Sequence, residues 1–260
     1  MTDTGYSQPK PPLGVGSIVG ESFSILFGHF IKVIIIGFVP TLIGFLLSGA
    51  LTGYNVALGL EVQDFSGPGS VVAFIISLLI NMIVYSITTA LLVQLAYDAK
   101  LTRPIQIGRY IGPAISVIVP LAVITIVLSI LVSIGLVLFI VPGLWIYAVF
   151  AVIAPVIVIE RAGFNAMGRS RFLTKEYRWP IVGALILGIV LSMIISFLAM
   201  FVVGLIASIG SIGLIIGIIL FAGMSTLGAG YISILIALIY ARLREIKEGV
   251  NVDQIASVFD

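Results

Sequence analysis

The residues able to do chemistry in this chain are few, and a dense group of the charged ones stands in one connection. Glu160 and Arg161 close one apolar run and are followed by Arg169, Arg171, Lys175 and Arg178 within a single connection. A carboxylate at 160 and a guanidinium at 169 suit an ion pair that locks this connection onto the preceding helix, although a helix end that simply meets water would carry a charge there as well. Arg171, Lys175 and Arg178 would line one side of a helix lying at a membrane surface. There they would attract anionic headgroups at about 1 kcal/mol per charge, although the same residues also serve simply to orient the chain. Elsewhere Ser77, Asn81, Tyr85 and Thr88 recur at spacings of four, four and three, on one helical face. Such a stripe belongs against other helices, either pairing hydrogen bonds or lining a path for a substrate.

Catalytic groups are scarce. His29 is the only histidine and there is no cysteine, so thiolate chemistry and histidine metal clusters are excluded. The expectation is no catalytic residue, no metal site and no cofactor. A membrane enzyme would have to assemble Glu21, His29 and Glu160, and no nucleophile elbow or phosphate loop accompanies them.

The elements that must position these residues follow from composition. Of the 260 residues 60% are hydrophobic and 9% charged, against roughly 25% charged in soluble domains. Runs without charge cover residues 33–60, 65–97, 110–159 and 179–241. A bilayer core about 30 Å thick takes about 20 apolar residues per helical crossing, so the first two runs hold one crossing each and the last two hold two apiece. The predicted spans lie near residues 33–53, 70–96, 114–134, 142–160, 181–204 and 213–240. No ionisable group falls near the middle of any of them, which disfavours proton-coupled pumps and intramembrane hydrolases.

All 13 Lys and Arg fall in the N-terminal segment, the 97–112 and 161–179 connections, or the C-terminal tail. That distribution places both termini in the cytoplasm of a bacterial inner membrane protein. Tyr97, Tyr110, Tyr177, Trp179 and Tyr240 are read as cytoplasmic-end anchors, and Tyr54, Phe65, Trp145 and Tyr147 as outer-face anchors. Pro142-Gly143 marks a turn into span four, and Pro155 lies inside that span as a candidate kink.

The fold class is therefore all-α: a polytopic membrane protein with six transmembrane helices as three hairpins, each preceded by a short amphipathic interfacial helix. Val19, Phe23, Leu26 and Phe30 share one face of the first such helix, near 16–32; another lies near 161–179, and PIQIGRYIGPAI is a weaker version. Residues 1–12 are read as a disordered cytoplasmic tail, 13–245 as one membrane domain and 246–260 as a cytoplasmic tail.

The stretch 142–183 carries Pro142-Gly143, an apolar helix with Pro155 near its end, Glu160, then Ala166, Ser170 and Leu173, and Trp179 before the next span. This pattern resembles the membrane domain associated with glycerophosphoryl diester phosphodiesterases and related multi-pass bacterial inner-membrane proteins. SIVGESFSILFGHF is similar to that family's opening helix. The resemblance implies fold and membrane association. Hydrolysis in that family resides in a separate soluble barrel domain, to which nothing in these residues corresponds.

The leading functional expectation is a non-catalytic, lipid-associated scaffold or accessory subunit of a membrane assembly. The alternative is a transporter or facilitator of a lipid-like or small neutral molecule. Expected partners are membrane lipids, with other membrane subunits or self-association, and not nucleic acid.

Overall fold

A computed structural model describes residues 11–249. Among these residues the regular structure is helical, and six helical segments are long and apolar enough to cross a membrane. The helices are α1 (Val15–Gly28), α2 (Phe30–Thr52), α3 (Tyr54–Ala57), α4 (Ser70–Lys100), α5 (Ile107–Ser116), α6 (Ile118–Leu138), α7 (Ile140–Val149), α8 (Ile153–Ile159), α9 (Ala166–Thr174), α10 (Arg178–Ala207) and α11 (Ser211–Glu248). The six candidate spans are α2, α4, α6, the α7–α8 segment, α10 and α11, the pattern of a multi-pass membrane protein.

Proline punctuates this order. Pro120, Pro142, Pro155 and Pro180 each occupy the third position of their helix, in α6, α7, α8 and α10. In a first turn the missing N–H costs nothing, while the ring prevents the preceding helix from running on. Hence α5 is separated from α6 at Val117, and the fourth span is cut in two between Val149 and Ile153.

The core is gathered at the ends of the spans that adjoin the basic connections. Leu92, Leu95, Leu121, Ile157, Leu173, Ile181, Leu185, Ile234, Leu235, Leu238 and Tyr240 are all fully buried. At the opposite ends Val137, Phe139, Phe197, Ile209 and Ile212 are largely exposed. An apolar surface of that extent is stable against lipid and not against water. The 38-residue α11 is about 57 Å long at 1.5 Å per residue. It therefore outreaches a hydrocarbon core of about 30 Å and carries its polar last turns beyond it.

Small residues set the closest approaches. A Cβ on Gly143 would stand 2.7 Å from the Leu136 backbone nitrogen, and one on Gly188 would stand 2.6 Å from Leu235 Cδ2. The first contact is with main chain, so no rotamer relieves it. Gly143→Ala should therefore lower stability by about 1–3 kcal/mol, read as an earlier midpoint of unfolding in mixed micelles. An unchanged midpoint would show that the α6–α7 approach tolerates separation. The Gly188 contact places the Ala184–Gly188 face of α10 against α11 of the same chain.

Several expectations change. Pro11 and Pro12 are held, their carbonyls accepting from Tyr177 Oη (3.0 Å) and Arg242 Nη2 (3.2 Å), and Leu13 is buried; the rest of the expected N-terminal tail lies outside the described residues. The expected C-terminal tail begins instead as helix, because α11 runs to Glu248, and residues 250–260 lie outside the described residues. The first expected interfacial helix is divided at His29, where α1 ends and α2 begins. Its buried residues are Ile18, Ser22, Ile25 and Leu26; of the expected face Leu26 is buried and Val19 and Phe23 pack partly buried against the core, while Phe30, on α2, is 41% exposed. The 161–179 connection is not one helix either: Glu176 adopts φ 77°, which separates α9 from α10.

Candidate functional site

The site is built around the break in span four. A helix interrupted at Phe150–Val152 leaves carbonyls without their usual partners, and in a membrane these must be satisfied within the protein. Ser170 Oγ and Thr174 Oγ1 of α9 both donate to the Val149 carbonyl, each at 3.0 Å, and both side chains are fully buried. For α9 to reach back this way the chain must reverse sharply after α8. Arg161 (φ 53°) and Gly163 (φ 53°) do so in the left-handed region, which costs a non-glycine residue roughly 1–2 kcal/mol.

An ion cluster fastens the reversal. Glu160 accepts from Arg169 Nε (2.8 Å) and Nη2 (2.9 Å), and from Tyr240 Oη (2.8 Å). Glu248 joins Arg169 Nη2 and also accepts from Arg244 Nε at 2.8 Å. Hydrogen bonding to Glu160, and then to Glu248, holds the Arg169 guanidinium above its ordinary pKa, so its charge persists at any working pH. The end of α8, the start of α9 and the last turns of α11 thus form one charged clamp.

Above the clamp lies a cavity of about 320 Å³, at the low end of the roughly 300–1,000 Å³ typical of ligand pockets. Its hydroxyls come from three helices: Tyr85 and Thr89 of α4, Thr125, Ser129 and Ser133 of α6, and Tyr147 of α7. The break itself supplies Phe150 and Ala151, and the lining contains no ionisable carboxylate, cation or histidine. Ser129 donates to the Thr125 carbonyl at 2.8 Å, which leaves its lone pairs free to accept. Hydroxyls both donate and accept, so this lining suits a neutral molecule with alcohol, ester or carbonyl oxygens on an apolar body.

The expected stripe on α4 divides. Asn81 Nδ2 donates to Ser48 Oγ of α2 at 2.9 Å and to the Ser77 carbonyl at 2.8 Å. Thr88 is buried with its hydroxyl unpaired. Tyr85 lies about 40–80° further round the helix than those three, on the side of Thr89, at 100° per residue, and lines the cavity with it. Asn81 is therefore an interhelical tie, and Asn81→Ala should cost only about 0.6–1.7 kcal/mol. Chemical denaturation in mixed micelles checks this; a loss well beyond that range would give Asn81 a larger role than packing.

The basic trio is not on one helical face. Arg171 lies on α9, Lys175 at its exposed end, and Arg178 opens α10 after the break at Glu176. The Arg178 guanidinium stands 5.1 Å from the Trp145 ring centre, with its Nε unpaired, and Trp145 is 5.4 Å from Trp179. Trp145 thus neighbours an expected cytoplasmic-end residue, and Tyr147 faces Tyr85 across the cavity. Trp145 packs at the end of α10 that carries Arg178 and Trp179 and not at the opposite end. Glu21 pairs with Lys100 at 2.6 Å, while His29 Nδ1 is buried and unpaired. Among the described residues no cluster of three potential metal ligands occurs.

The α6 hydroxyls leave one sequence signal, Thr125, Ser129 and Ser133 recurring every fourth residue in an otherwise aliphatic span. No family model, curated protein or solved structure matches the chain.

Proposed function

We propose that this chain is a non-catalytic, lipid-associated protein of the bacterial inner membrane that holds a small neutral or lipid-like molecule between its helices. The observation that carries this reading is the hydroxyl-lined, charge-free cavity beside the broken fourth span. Discontinuous helices are where membrane proteins bind solutes, because unwound backbone is tolerated only where it is buried or lines a cavity. A purely structural scaffold has no need of such a space, so uptake of a neutral molecule is favoured over scaffolding. Lipid association is supported by Arg171, Lys175 and Arg178, with Trp179 62% exposed beside them. The distribution of basic residues supports cytoplasmic termini. The kinship with the phosphodiesterase-associated membrane domain belongs to the same proposal: Pro155, Glu160 and Ser170 of the resembling stretch all build the break and its clamp.

Photolabelling in phosphatidylcholine vesicles with a diazirine-bearing monoacylglycerol tests the reading. Labelling of the α6 and α7 peptides that saturates, and that excess unmodified monoacylglycerol competes away, is expected. Labelling that never saturates and spreads evenly over lipid-facing helices would overturn it.

A further inference from the structure

Both tryptophans of the chain stand at one place. The rings of Trp145 and Trp179 are 5.4 Å apart, and the Arg178 guanidinium lies 5.1 Å from the Trp145 ring centre. Trp145 is half-buried and Trp179 is largely exposed, so the pair stands at the edge of the bundle where span five begins. Indole rings favour that boundary between headgroups and acyl chains. The charge beside them is unmatched. Among the described residues the other partly buried cations, Lys100, Arg169, Arg242, Arg244 and Lys247, each meet a carboxylate. Arg178 alone does not, and its Nε is buried without a hydrogen-bond partner. The nearby carboxylate of Glu176 reaches Lys247 at 3.2 Å. Stacking on the indole holds the Arg178 guanidinium in place, while its charge is left uncompensated.

We propose that Arg178, stacked on Trp145, receives the phosphate of one anionic phospholipid. The planar fork of a guanidinium matches phosphate oxygens two at a time. Helix α10 begins at Arg178 with no side-chain cap, so its dipole adds positive potential at the same point. Arg171 and Lys175 are exposed and also lack a carboxylate partner. That local excess of positive charge favours a headgroup of net negative charge over a zwitterionic one. The exposed Trp179 ring favours a lipid over a soluble phosphate ester, because it needs acyl or glycerol surface to cover it. Trp145 is a positioning residue that fixes the plane of the guanidinium. The inference rests on the lipid association proposed above, independently of the cavity, and adds the headgroup class and the residue that reads it.

Because the chain has two tryptophans and both are here, the site carries its own fluorescent reporter. The protein is placed in phosphatidylcholine vesicles containing phosphatidylglycerol, with one lipid at a time brominated high on its acyl chains. Quenching is normalised to unbrominated vesicles. Brominated phosphatidylglycerol should quench as though enriched about fivefold at the indoles over its share of the bilayer, and Arg178→Gln should abolish that enrichment. Arg178→Lys keeps the charge and loses the fork, so less than about half of the enrichment should remain. Quenching by brominated phosphatidylcholine should stay within the same range in all three proteins, which reads correct insertion. Soluble glycerol phosphate should leave the enrichment unchanged. Enrichment that survives Arg178→Gln, or that is as strong with Arg178→Lys as in the parent, would overturn the site in favour of diffuse charge. Displacement by glycerol phosphate would overturn the lipid as occupant. Equal quenching by both lipids in the parent would overturn the site while leaving lipid association intact, and quenching by neither would remove that association itself.

Discussion

Glu160→Ala is expected to destabilise the protein by about 2–4 kcal/mol, between the value of an exposed ion pair and the loss on breaking a buried one. The size follows from what the carboxylate holds. It accepts three hydrogen bonds from Arg169 and one from Tyr240, and Arg244 stands 3.9 Å away. Without it two cations face each other with only Glu248 between them. The damage should not stop at the clamp, because Arg169 adjoins Ser170, whose hydroxyl satisfies the Val149 carbonyl at the helix break. Arg169→Ala should therefore be nearly as costly, and the double variant should cost much less than the sum of the two. Equilibrium unfolding of the four proteins in mixed micelles measures this coupling. Additive losses below about 1 kcal/mol each would mark the cluster as a solvated surface feature.

The second large effect falls on binding and spares the fold. Ser129→Leu with Ser133→Leu removes two cavity hydroxyls and fills part of the space. Both positions are exposed on a helix of aliphatic residues, so the unfolding midpoint should hold or rise. Affinity for a neutral amphiphile should fall roughly tenfold for each hydrogen bond lost. Photolabelling titrations give the apparent affinity directly. A variant that binds as well as the parent would take the hydroxyl lining out of the recognition chemistry.

The spans were legible in the sequence because lipid demands apolar side chains all round a helix, and charge-free runs record that demand. Pro155 likewise signalled the kink, since its ring excludes the carbonyl of Ala151 from a regular turn. The Glu160 and Arg169 pair could be anticipated from charge and spacing. What could not be read was the second use of α9: nothing local in Ser170 or Thr174 says that their hydroxyls reach a carbonyl some twenty residues earlier. The α6 hydroxyls are obscured for a different reason. Ser and Thr in a membrane helix can bond their own preceding turn, as Ser129 does, so a stripe of them looks like packing. The helix expected over 161–179 failed at Glu176 because the amphipathic period continues across the break and gives no sign of it.

The cavity beside the broken span is proposed to hold a neutral, lipid-like molecule. Native mass spectrometry from nanodiscs tests it most directly, by comparing the protein with its Ser129→Leu, Ser133→Leu variant. A one-to-one neutral adduct is expected on the parent and not on the variant. Identical adducts on both proteins, or a folded parent that carries none, would contradict it.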